Sequence, residues 1–169
     1  MLNLRLLGPV SGAGQGDPAL MSTLAVQILA NSKIELATSH ASKVSDHAAA
    51  RTNVVRALFE RAADRSQYGT AKGGSVSLDV RLMRALIELS RYYSFAISEI
   101  AGGSHSKPSS RHYAGVAFDA PTINGYRVGP RNPYFRDFLQ DCRTLGATEV
   151  LGPGDPGHDH HVHAAWPRH

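Results

Sequence analysis

The stretch from Asp159 to Trp166 reads DHHVHAAW, and five of the nine histidines lie in the last twelve residues of the chain. Asp159, Val162 and Trp166 interrupt them, so this is not a homopolymeric run. If HHVHAAW is extended, period-two alternation puts His161 and His163 on one face, with His160 and Val162 on the other. A second cluster, SSRHYAGVAFDA, holds His112 and Asp119. Seven residues of continuous helix would hold these two apart, but a loop feeding a strand can fold His112 back over Asp119. If 115–120 is extended, Gly115, Ala117 and Asp119 share a face whose small side chains leave space beside the carboxylate. Val116 and Phe118 then point into the core. His112 and Asp119 joined by either His161 or His163 make two imidazoles and one carboxylate, the three-ligand set that leaves a zinc ion one position for water. The remaining histidine of the pair is placed to handle protons near neutral pH.

The rest of the composition narrows the class. A length of 169 residues fits one domain that can fold without a metal or disulfide staple. The hydrophobic share of 42% and charged share of 19% are those of an ordinary globular protein. A net charge of +4 favours loose attraction to anionic polymers such as nucleic acid, acidic membrane surfaces or wall polymers. No zinc finger or aromatic-rich single-strand platform accompanies the arginines, so nucleic acid is not expected as a partner. The single cysteine, Cys142, excludes an internal disulfide and sits at helical spacing with Phe135, Phe138, Leu139 and Leu145, as a core residue would. No apolar run long enough to span a membrane occurs, and MLNLRLLGPVSGAGQG lacks a sustained apolar segment before a small-residue cleavage site. Export by a separate route, release by lysis and processing from a precursor all stay open.

These chemical residues need elements to carry them. Residues 1–18, rich in Gly and Pro, read as a flexible arm or linker, and 19–169 as a single catalytic domain. Its N-terminal helical part spans 19–76 and its core 77–169. ALMSTLAVQILA suits a helix and KIELA a short strand. SDHAAARTNVVRALFERAAD gives an amphipathic helix with Val54, Val55, Leu58, Phe59 and Ala62 on one side and Ser45 or Asp46 as its cap. A third helix is expected from Leu78 to Tyr93 with Ser77 as cap, and a fourth from Pro133 to Leu145. FAISEIAGG, GVAFDA, NGYRV, TEVLGPG and HHVHAAW read as short strands. Helices early and strands late imply an α+β fold, helices packed on a small, mostly antiparallel sheet. His40, His47 and His169 read as solvated.

HYAGVAFD is similar to the His-Tyr-x-Gly-x-Ala-x-Asp segment of Hedgehog signalling domains. With the later His-x-His, the chain resembles the group of zinc D-Ala-D-Ala carboxypeptidases, LAS-type peptidoglycan endopeptidases and Hedgehog N-domains. The likeness runs over residues 77–166. It implies a Hedgehog/DD-peptidase-like fold and one zinc ion held by His112, Asp119 and His163. His161 would take a proton from attacking water or steady the oxyanion as a bacterial wall peptide is hydrolysed. The same likeness implies action outside the cell, in the periplasm or at the wall; a monomer is expected.

Two departures and one agreement refine that expectation. Many carboxypeptidases of the group carry a Gly-Tyr-Arg-Ser segment whose arginine holds substrate; here the stretch is GGSHS, offering Ser104 and His105. Several members place a glutamate four residues before the first histidine of His-x-His, where this chain has Gly157, leaving Asp155, His158 or Asp159 to substitute. Some LAS-type endopeptidases have a histidine where His158 stands, which adds His158 to the catalytic candidates and favours an endopeptidase. Arg111 is a further candidate contact for an anionic substrate group, and Trp166 is either a platform beside the cleft or core packing. The other reading is a Hedgehog-like, zinc-containing module that binds wall polymer without turnover.

Overall fold

The structure is a computed structural model that describes residues 7–11, 16–103 and 107–168. It is α+β. Pro18–Leu29 forms α1, started by Asp17, whose carboxylate accepts from the Ala19 amide, and by a proline at its first position. Ile34–Leu36 is β1, Ala50–Leu58 is α2, and Ala63–Asp64 and Ser75–Val76 pair as a short antiparallel hairpin, β2 and β3. Val80–Ser90 is α3 and Phe95–Ile97 is β4. Ala117–Ala120, Thr122–Ile123 and Tyr126–Arg127 are β5, β6 and β7. Phe135–Thr144 is α4, and Glu149–Leu151 and Val162–Ala165 are β8 and β9.

The strands form two larger sheets rather than one. The first has the order β1-β4-β6-β7, with β1 parallel to β4 and the other pairs antiparallel. Between β1 and β4 the chain runs through α2 and α3, the long crossover that a parallel pair requires. The second sheet, β5-β9-β8, is antiparallel throughout. Main-chain bonds join the two: Ser98 donates to the Asp119 carbonyl at 2.9 Å, and the Asp119 amide to the Glu99 carbonyl at 3.0 Å.

Phe138 of α4 is a hub of the core, with ring centroids 5.0 Å from Tyr93, 5.4 Å from Phe95 and 6.4 Å from Phe118. Leu82, Leu86 and Leu89 of α3 and Ile28 of α1 complete it with no exposure. Cys142 is a fully buried core residue, and burial pushes its thiol pKa up, the opposite of what a nucleophile needs.

Several local expectations are corrected. Within the expected arm, the Val10 amide donates to the Leu145 carbonyl, and Leu7 and Val10 pack on the core. The second helix starts at Ala50, with neither Ser45 nor Asp46 as cap, because Asp46 accepts from the Ala48 amide and pairs with His40 instead. It stops after Leu58, leaving Phe59 65% exposed while Glu60 turns with φ +58°. Asp79, not Ser77, caps α3, accepting from the Arg81 amide at 2.7 Å.

Candidate metal centre

Asp119 on β5 and His163 on β9 face each other in antiparallel register. His112 precedes β5 in a loop, and Gly115 is what turns that loop back. Its φ is +70°, its amide donates to the His112 carbonyl and its carbonyl accepts from the Asp79 amide. A Cβ there would lie 2.7 Å from the Ser77 carbonyl oxygen, so a side chain has neither the room nor the backbone freedom. The small-residue face expected to stay open is therefore filled at this end. Gly115 abuts β3 and Ala117 is fully buried, and Asp119 alone reaches the cleft.

His112 Nε2 lies 3.2 Å from Asp119 Oδ1 and 3.2 Å from His163 Nδ1, and His163 Nδ1 lies 2.8 Å from Asp119 Oδ1. Tetrahedral bonds of the usual zinc length separate ligand atoms by about 3.3 Å, so a single ion fits among these three atoms. In the neutral tautomers the ring N–H groups point away from it. His112 Nδ1 donates to the Ile100 carbonyl oxygen at 2.7 Å, which leaves the Nε2 lone pair of the neutral ring aimed at the centre. His163 Nε2 faces Glu149 Oε1 at 3.2 Å, which favours a bare Nδ1 in the same way. Two nitrogen lone pairs and a carboxylate oxygen so converge, an arrangement that calls for a proton or a cation between them. His112, Asp119 and His163 could hold a metal ion.

Electrostatics agree with the geometry. Burial alone would lower the His112 pKa, yet the charge and hydrogen bond of Asp119 raise it to about 9. Burial opposes ionisation of Asp119, but the neighbouring His112 and His163 hold its carboxyl far below the ordinary range. Among the described residues this is the one group of three or more such side chains whose ligand atoms converge.

His161 stands beside the three, with Nε2 3.9 Å from Asp119 Oδ1. Burial lowers its pKa, and the neighbouring imidazoles His158, His160 and His163 add to that against the opposing pull of Asp119. Both effects favour the neutral imidazole. His158 packs its ring 4.9 Å from that of His161 and bonds the Pro156 carbonyl through Nδ1. His160 is exposed but lines the cleft as well. Asp155 and Asp159, named as substitutes for the missing glutamate, accept from the Gly152 and Gly154 amides and brace their own turn.

These histidines open onto a cleft of about 940 Å³. Arg111 lines it, its Nε paired with Glu149 Oε2 at 3.3 Å. Ser104 and His105 lie outside the described residues. Trp166 is not a cleft platform: it is 1% exposed, packs against Phe118 and donates its indole N–H to the Leu145 carbonyl.

Two groups escaped the sequence reading. Glu149 could have been found by alternation in TEVL, which sends Val150 to the core and its neighbours to the other face. The other is His40, read as solvated but 2% exposed. Its Nδ1 meets Glu99 Oε2 at 2.6 Å and its Nε2 meets Asp46 Oδ1 at 2.7 Å. Burial alone would lower its pKa, but the two carboxylates raise it. No local signal pairs residues 59 positions apart. Both His40 and Glu99 line the cleft.

Compared with protein-family models, with curated protein sequences and with solved structures, the chain matches none. No helix among the described residues is long and apolar enough to cross a membrane.

Proposed function

We propose that the chain is a zinc-dependent hydrolase of peptidoglycan peptides, an endopeptidase in preference to a D,D-carboxypeptidase. The observation that carries this reading is the convergence of His112 Nε2, Asp119 Oδ1 and His163 Nδ1 beside His161, on a cleft wide enough for several peptide residues. Two imidazoles and one carboxylate with no cysteine are the donor set of a catalytic rather than a structural zinc site. The wall-peptide substrate comes from the resemblance to the LAS and D-Ala-D-Ala peptidase group, and the basic charge suits an anionic wall.

Zinc held there would polarise the scissile carbonyl and lower the pKa of a water to about 7. His161, as the neutral imidazole, accepts the proton that water gives up as its oxygen bonds the carbonyl carbon. It returns that proton to the leaving nitrogen as the C–N bond breaks. His158 packs against the His161 ring and restricts its tilt. Arg111 and Arg127 supply cationic edges of the cleft for carboxylates carried by the peptide.

The test is mass spectrometry of muropeptides before and after incubation with purified peptidoglycan, with and without chelator. New amine termini inside stem or cross-link peptides, abolished by chelator, are the expected result. Retention on the wall with no new termini would instead assign the chain to zinc-containing recognition modules.

A further inference from the structure

We infer that Glu149 is a positioning residue for the metal centre: with Arg111 it fixes which nitrogen of His163 faces the ion. This rests on the metal-centre part of the function proposed above, but not on any bond being cut. A ligating imidazole needs one nitrogen bare and the other protonated, and whatever accepts from the protonated nitrogen decides which is which. His163 can be held either way by its own strand, since β9 fixes the backbone but not the tautomer. Glu149 settles it. Its Oε1 lies 3.2 Å from His163 Nε2, so that nitrogen keeps its hydrogen and Nδ1 is left to face Asp119 and His112.

The carboxylate is itself aimed. Its other oxygen, Oε2, accepts from Arg111 Nε at 3.3 Å, and Arg111 immediately precedes His112. A single side chain on β8 so links the loop that carries one imidazole to the strand that carries the other. The chemistry is that of a carboxylate–histidine–metal relay, in which the carboxylate also makes the imidazole a better donor.

The test compares the full-length wild type with Glu149→Ala, Glu149→Gln and, as a control for lost charge alone, Glu35→Ala. Zinc affinity is read by competition with a chromophoric chelator, and the His163 tautomer in the zinc-loaded protein by long-range ¹H–¹⁵N correlation. Glu149→Ala is expected to bind zinc about 10–100-fold more weakly. Glu149→Gln, whose amide oxygen still accepts from Nε2–H, should recover most of that loss, and Glu35→Ala should match wild type. A zinc affinity of Glu149→Ala within about twofold of wild type, or a zinc-bound His163 protonated at Nδ1, overturns the inference alone. A wild type that binds no zinc overturns it together with the proposed function. Tight zinc binding without peptide cleavage removes the hydrolase and leaves the role of Glu149 intact.

Discussion

Asp119 and His163 are cross-strand partners, and the Asp119 Oδ1 to His163 Nδ1 distance is 2.8 Å. Antiparallel register puts both side chains on one face of the second sheet without any special loop. Only the third member of the candidate group, His112, depends on a turn.

Metal capture by this pair is the first expectation. Wild-type protein should hold about one zinc per chain, and His112→Ala, Asp119→Ala and His163→Ala should each lose stoichiometric metal while keeping their far-ultraviolet circular dichroism. With His112 held at about 9 in the metal-free protein, zinc binding at pH 7 should expel its proton. Calorimetry in buffers of different ionisation enthalpy reads that release directly. Elemental analysis showing equal zinc in wild type and His112→Ala would contradict the assignment.

His161→Ala separates the proposed base from the proposed ligands. The variant should bind zinc as wild type does, with kcat lower by about 10²–10⁴-fold and KM little changed. Steady-state kinetics on a cross-linked muropeptide give both constants, and an active, metal-loaded His161→Ala would remove the role given to His161.

Gly115→Ala addresses the turn. With φ +70° and a carbonyl oxygen 2.7 Å from the new Cβ, the substitution should destabilise the fold by about 2 kcal/mol or more. Urea denaturation measures that loss. Because the same turn aims His112, zinc affinity should fall alongside stability, whereas Gly125→Ala, at another positive φ but with no atom near its Cβ, should leave zinc affinity unchanged.

His40 gives a pH signature. Its pKa is raised in the folded state by Glu99 and Asp46. A group with a raised folded pKa adds stability that is fully present below the unfolded value and fades as pH rises through the folded one. His40→Gln should therefore cost more stability at pH 6 than at pH 9. Urea curves for wild type and variant at the two pH values test this, and a difference that grows with pH would contradict it.

Part of the candidate metal group was legible in the sequence because strand alternation is a short-range property. Residues two apart on HHVHAAW share a face whatever the rest of the fold does, and that was enough to pair His161 with His163. The turn at Gly115 was missed: the residue was read as part of the extended strand, whereas its φ is +70° and β5 begins only at Ala117. Helix 2 was read too long because Asp46, a good cap by type, is drawn off by a buried imidazole. Trp166 kept both readings in sequence, with core packing the commoner use of a lone tryptophan. The indole bond to Leu145, across the junction of α4 and β9, decided it. His40 and Glu99 were invisible for the plainest reason, that they stand 59 positions apart in the chain.

The backbone of residue 119 belongs to both larger sheets, bonding Ser98 and Glu99 on one side while its strand pairs with β9 on the other. Peeling either sheet away displaces the carboxylate that joins the two imidazoles. Loss of ion retention on heating should thus coincide with cooperative melting rather than precede it, which would make a bound ion a gauge of how much of the population is intact.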